Sequence, residues 1–228
     1  METIISKISI MLVPALLAIT MHEVAHGYAA ERFGDPTARL LGRLNLNPMR
    51  HLDPIGTVAI FIFGFGWARP VPVNAGNLRH PKRDMIWVAF SGPVANLLLA
   101  VASALLLRGI GLLEATSIGD SQTFAQVANP VRMMLGFSLY INVLLGIFNL
   151  VPLPPLDGGR ILVGVLPEKQ AMMVNRLEPF GFILILFLVF FTDVWSLVLA
   201  PLIGSLVKLM AGPEFGVVQH AMSFLFGN

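Results

Sequence analysis

The chain has no cysteine among its 228 residues. No disulfide can staple it and no thiolate can bind a metal, so any metal centre must use imidazole, carboxylate or neutral oxygen. Charge is also scarce. Asp, Glu, Lys and Arg make up 12% of the chain, against about 25% in a soluble domain. Hydrophobic residues reach 56%, and mean hydropathy is +0.78. An ordinary soluble domain is excluded; the composition is that of an integral membrane protein. A net charge of +2 gives no sign of nucleic-acid binding, and the positive residues are better read through the positive-inside rule. Internal repeats and low-complexity linkers are absent.

What is present is a set of long uncharged runs. Residues 8–21 carry no charge and run into His22-Glu23-Val24-Ala25-His26. Continued to Ala30, the segment holds about 23 residues, enough to span with some tilt. A signal peptide fits poorly, because the run leads into the histidines without a polar mature start. Gly34-Asp35-Pro36 marks the exit. Residues 85–107 predict a second span and 133–156 a third, broken near Asp157 by Pro152, Pro154 and Pro155. Residues 161–178 read as a short amphipathic helix and a loop. Residues 180–207 would be about 42 Å long as one helix, more than the roughly 30 Å hydrocarbon core. They predict one span to about Ala200, then an interfacial tail. The tail from Gly212 carries no signal of its own.

Residues 31–84 differ in character. They hold Arg32, Arg39, Arg43, Arg50, Arg69, Arg79, Lys82 and Arg83, eight of the fifteen cationic residues. Within them residues 57–67 are apolar, β-branched and aromatic, but too few to span as a helix. They read as a re-entrant segment, as short strands dipping into the bilayer, or as a short helix starting at Pro54. Residues 109–131 hold Glu114 and Asp120 and no Lys or Arg. The basic region is therefore expected on the cytoplasmic side and the 109–131 loop outside. The fold class expected is an all-α polytopic membrane protein of about four spanning helices with one re-entrant or β-strand segment. It forms a single membrane-embedded domain over 1–228, with a core of roughly 1–165 and a C-terminal helix and tail over 166–228.

The chemistry gathers at residues 22–26. Two histidines four apart stack on one helix face, so both imidazoles reach one ion, and Glu23 beside the first can reach a bound water. Ionisable groups inside a span are costly and mark function by default. Catalytic zinc takes three protein ligands and a water. Ala29 and Arg32 stand where the soluble HExxHxxGxxH pattern needs Gly and His, so the third ligand comes from elsewhere. His51, Asp53, His80 and Asp157 are the candidates. Asp157 stands out because it closes an uncharged span on the side where the histidine helix ends, and Gly158-Gly159 allow close backbone approach.

At this point the sequence resembles the site-2 protease (M50) family of intramembrane zinc metalloproteases. The resemblance rests on HEVAH at 22–26 and NLVPLPPLDGGRIL at 149–162, supported by SGPVAN at 91–96 and NPMRHLDPIGT at 47–57. It is similar to the small prokaryotic members without a PDZ or CBS domain. The resemblance implies one Zn2+ per chain held by His22, His26 and Asp157, with Glu23 as catalytic base. It makes Asn149 a substrate-binding or oxyanion candidate, with a helix-packing hydrogen bond as the alternative. His51 and Asp53 become candidates for supporting a zinc histidine, or else for a solvated loop. Asn96 is read as structural. The implied substrate is a transmembrane protein, cleaved in or near its spanning helix, in a prokaryotic cell membrane with the site toward the cytoplasm. A homo-oligomer is an open option.

A helical substrate must unwind locally, because its carbonyls are locked in the i to i−4 ladder. The extended stretch within 57–74 is a candidate to hold it by strand addition. Two other classes remain at this stage, a metal-binding transporter and a non-catalytic membrane scaffold. The lack of ionisable groups in later spans and of repeats speaks against the first. The intact Glu23 speaks against the second.

Overall fold

The computed structural model describes residues 2–54, 56, 68–116, 119 and 121–227. The expected re-entrant or strand segment at 57–67 lies outside them. Among the described residues there is no strand, only an isolated antiparallel bridge between Leu52 and Ala68. The helices are α1 (Glu2–Arg32), α2 (Thr37–Leu40), α3 (Pro81–Glu114), α4 (Gln122–Asn149), α5 (Asp157–Val165), α6 (Glu168–Asn175), α7 (Gly181–Phe191), α8 (Ala200–Ala211) and α9 (Phe215–Phe226). Among the described residues four stretches are long and apolar enough to cross a membrane: Ile4–Arg32, Pro81–Glu114, Gln122–Asn149 and Trp195–Phe226. The protein is an all-α polytopic membrane protein. Helices satisfy their own backbone groups, which is what a chain in hydrocarbon must do.

Helix ends follow local chemistry. Beyond α1, Gly34 adopts φ 112°, a conformation that costs glycine little. The Asp35 N–H then reaches Ala30 O at 2.9 Å and the Gly34 N–H reaches Glu31 O at 3.0 Å. This paired closure satisfies carbonyls left open at the helix end. At the start of α3 the His80 N–H donates to the buried Asp84 carboxylate at 2.7 Å, a negative charge at the positive end of the helix.

Two stretches differ from expectation. Helix α4 ends at Asn149, seven residues before Leu156, because the following turn runs through Pro152, Pro154 and Pro155, which cannot donate to a helical ladder. The apolar run from 180 does not give a single span to Ala200. Helix α7 stops at Phe191, Thr192 is extended (φ −127°, ψ 159°), and Asp193 is exposed. The stretch Glu168–Phe180 meets Ile183–Phe191 at 81°. The fourth stretch long enough to cross starts instead at Trp195 and takes in the tail.

The chain divides into two compact units. The first comprises Met1–Ala18, Asn96–Leu145 and Ser196–Asn228. Its buried cluster is Ile10, Phe137 and Leu225, packed with Met11, Met133, Met134 and Met222. A buried polar ladder crosses it. Asn96 Nδ2 donates to Asn142 Oδ1 at 2.9 Å and to Ala18 O at 3.2 Å, Asn142 Nδ2 donates to Ser138 O at 2.9 Å, and the Ser138 and Ser103 hydroxyls lie 2.8 Å apart. These contacts of Asn96 are helix-packing hydrogen bonds. Arg132 pairs with Glu114 and with Glu214, and Arg108 donates to the carbonyls of Leu209, Met210 and Ala211 at the end of α8, complementing that helix's negative end.

The second unit comprises Ile19–Ala95 and Gly146–Trp195. Ala30, Leu78 and Val88 form its buried cluster, with Phe33, Val73 and Met85 against them. Asp35, with no exposed surface, ties its loops together. One carboxylate oxygen accepts from Thr37 N–H at 3.1 Å and Asn77 Nδ2 at 2.9 Å, the other from Asn74 N–H at 2.6 Å.

Candidate metal centre

The described residues contain one group of three side chains able to share an ion: His22, His26 and Asp157, all buried. Residues 22 and 26 stack on α1, one turn apart. Asp157 is the first residue of α5, immediately after the proline turn that ends α4. The turn and α5 pack closely because position 158 carries no side chain. A Cβ at Gly158 would fall 2.3 Å from Leu150 O and 2.4 Å from Val151 O.

The three donor atoms converge. His22 Nε2 lies 3.0 Å and His26 Nε2 3.2 Å from Asp157 Oδ2, and the two nitrogens are 3.1 Å apart. The tautomer of His26 follows from its other nitrogen. Nδ1 is 2.7 Å from Val88 O, and a carbonyl only accepts, so the proton sits on Nδ1 and Nε2 presents a lone pair. That lone pair faces the Asp157 oxygen, which is buried and accepts no hydrogen bond despite two nitrogens within 3.2 Å. Two imidazole nitrogens and a carboxylate oxygen within 3.2 Å of one another form a donor set that a cation would join. Ligand bonds of 2.0–2.1 Å in a tetrahedral site put donors about 3.3 Å apart. The donor set and its spacing fit zinc.

Several parts of this centre had no signal in the sequence pattern. Helix α3 comes so close that a Cβ at Gly92 would lie 2.5 Å from His26 Nε2 and Cε1 and 2.7 Å from His22 Cε1. Ser91 Oγ donates to Val88 O at 2.6 Å and lies 3.5 Å from His26 Nδ1. The SGPVAN motif at 91–96 does not itself say which side chains its glycine lies against. Glu23 is half-buried, and its Oε2 accepts from the Val71 N–H at 2.7 Å.

The other sequence candidates fall elsewhere. His51 is 1% exposed, so it is not a solvated loop residue. Its Nε2 is 2.9 Å from Asn45 O, and it is not among the converging donors. Asp53 Oδ1 accepts from Gly56 N–H at 2.8 Å, as a turn aspartate does. His80 lies beside Asp84. Asn149 is half-buried at the last position of α4. The stretch 69–74 is already committed. Pro70 and Pro72 have no N–H, and the N–H groups of Arg69, Val71 and Asn74 bind His51 O, Glu23 and Asp35. The strand addition expected within 57–74 falls mainly on 57–67, which lie outside the described residues.

Comparison with known proteins supplies the context. Residues 10–192 match the model of peptidase family M50. YwhC of Bacillus subtilis (strain 168), which carries a zinc metalloprotease name, is 39% identical over 216 residues, covering 91% of this chain and 93% of its own. Rip2 of Mycobacterium tuberculosis (strain H37Rv), also carrying a zinc metalloprotease name, is 30% identical over 185 residues, with 76% of this chain and 64% of its own covered. Zinc metalloprotease MJ0392 of Methanocaldococcus jannaschii is 24% identical over 165 residues, covering 72% of this chain and 37% of its own. No solved structure matches the chain.

Proposed function

Because the chain belongs to peptidase family M50 and is a zinc metalloprotease of the membrane, we propose that it is an intramembrane endopeptidase. It cleaves transmembrane proteins in or near their spanning helices. Family membership removes the transporter and scaffold readings. The observation that carries the proposal is the convergence of Asp157 on His22 and His26, which lie in the spanning stretch Ile4–Arg32 with Glu23 directly after His22.

In this reading His22, His26 and Asp157 hold Zn2+. When bound there, zinc supplies a Lewis acid that polarises a carbonyl and brings the pKa of its water toward about 7. The remaining work belongs to the chain. Val88 O keeps the proton of His26 on Nδ1, so that Nε2 is available to the metal. Glu23 takes a proton from the attacking water and delivers it to the departing amine. Asn149 is the side-chain candidate for holding the substrate backbone or its developing oxyanion. The substrate helix must open locally before its carbonyl can be attacked. The cationic residues of 31–84 orient the centre toward the cytoplasmic face of the cell membrane.

The test is a Glu23→Gln variant reconstituted in liposomes with candidate membrane-protein substrates. One zinc per chain with no cleavage is expected, and the inactive variant should retain uncleaved substrate in crosslinking. Native cleavage rates in Glu23→Gln would overturn the proposal.

A further inference from the structure

The sequence Arg69-Pro70-Val71-Pro72 allows few backbone contacts. The two prolines have φ fixed near −65° and carry no N–H, and each pushes the residue before it toward an extended conformation. Between Arg69 and Pro72 only two N–H groups exist. The Arg69 N–H is taken by His51 O at 2.8 Å. The Val71 N–H points at Glu23 Oε2, 2.7 Å away and 48 residues distant in sequence.

Neighbouring contacts hold this strap in place on both sides of Val71. Arg43 Nη2 donates to Arg69 O at 2.9 Å, and Asn74 N–H donates to the buried Asp35 at 2.6 Å. The Val71 side chain is 5% exposed. It sits over Gly27, four residues on from Glu23, where a Cβ would lie 3.0 Å from Val71 Cγ1. Side-chain seat, strap ends and flanking prolines together set the direction of one N–H.

We propose that Val71 is a positioning residue for the reaction, its N–H holding Oε2 of Glu23 so that the carboxylate presents Oε1 to the attacking water. The proposal rests on Glu23 being the base. A glutamate has three rotatable side-chain bonds, and a base works only when it is held within hydrogen-bond reach of its proton. Binding one oxygen to a fixed amide removes that freedom before substrate arrives, as preorganised sites require. Val71 acts through its backbone, so side-chain identity at 71 matters only for seating.

The experiment uses the full chain in detergent micelles with fluorescein-labelled β-casein as the probe substrate. Two changes remove the N–H: Val71→Pro, and an amide-to-ester replacement at Val71 with α-hydroxyvaline, which keeps the side chain. Val71→Ala keeps the N–H. The expected result for the ester is a fall in kcat of about 10- to 100-fold, with KM within about twofold and one zinc per chain. Val71→Pro should follow it, and Val71→Ala should lose at least fivefold less, on the same positioning argument. A structural role would instead move zinc content or KM. An ester variant with native kcat, or one whose loss lies in KM or zinc, overturns the proposal. If Glu23→Gln is inactive while the ester is native, only the role of Val71 fails. If Glu23→Gln itself is active, the base assignment fails with it.

Discussion

Gly92 leaves no room between α3 and His26: a Cβ at that position would lie 2.5 Å from the ring's Nε2 and Cε1. A contact that short has to be relieved, and the ring is tied by Nδ1 to Val88 O on the same helix as Gly92. Gly92→Ala should therefore displace His26 Nε2, the nitrogen proposed to bind zinc. The expected outcome is a fall in zinc per chain and at least a 10-fold loss of activity, since misplacing a reacting group by about 1 Å is worth up to about 100-fold. Elemental analysis of the purified variant checks it. Full zinc content with native activity would mean that α3 simply shifts away.

Asp157 brings the only negative charge among the three converging donors. Asp157→Asn keeps the shape and removes that charge, and should lower zinc affinity by 10- to 100-fold or more, by analogy with the effect of losing supporting groups at metal sites. Competition with a chromophoric chelator measures it. Chelation of the native protein should abolish activity, and added zinc should restore it.

The buried ladder in the first unit predicts a stability effect without an effect on metal. Asn142→Leu removes the acceptor of Asn96 Nδ2 and the donor to Ser138 O. Polar pairs inside membranes are worth about 0.6 kcal/mol on average, up to about 1.7. A loss in that range is expected in detergent unfolding, with unchanged zinc. A stabilised variant would show that the ladder serves something other than packing.

Asp35 predicts an acid limit for the loops of the second unit. Burial works against its charge, but the Thr37 hydroxyl, the Asn77 amide and the N–H groups of Asn74 and Thr37 outweigh it and hold its carboxyl below the usual range. Its contribution is thus complete above the ordinary carboxylate pKa of about 3.9, and is lost as pH falls through the lower folded value. Hydrogen exchange of residues 33–38 and 74–78 should accelerate in that acid window. In Asp35→Asn exchange should be faster at pH 7, by about 1–3 kcal/mol of opening free energy, and flat across the window. An acid profile shared by both proteins would remove Asp35 from the role.

The legible part of this protein lay where information is local. Composition and long uncharged runs put the chain in a membrane, because hydrocarbon admits few charges and only self-satisfied backbone. His22 and His26 could be read as a candidate metal pair because helix geometry places residues four apart on one face, and the structure brings their nitrogens within 3.1 Å of each other. Asp157 could be singled out because it stands alone at the end of an apolar run beside two glycines. Boundaries were less legible. Residues 180–207 are apolar apart from Asp193, and a single charge beside Thr192 does not by itself say that a helix ends there.

Other features depend on the folded chain. That Gly92 is the floor beneath the histidine rings, that Val88 O sets the His26 tautomer, that His51 is buried on Asn45 O and that Val71 N–H meets Glu23 all join residues distant in sequence or helices packed side by side. Backbone carbonyls and amides are the same at every position, so a sequence cannot say which of them a side chain will find. Residue types and spacings determined that the chain could bind zinc inside a membrane. Packing alone decided which neutral groups lie against His26 and Glu23.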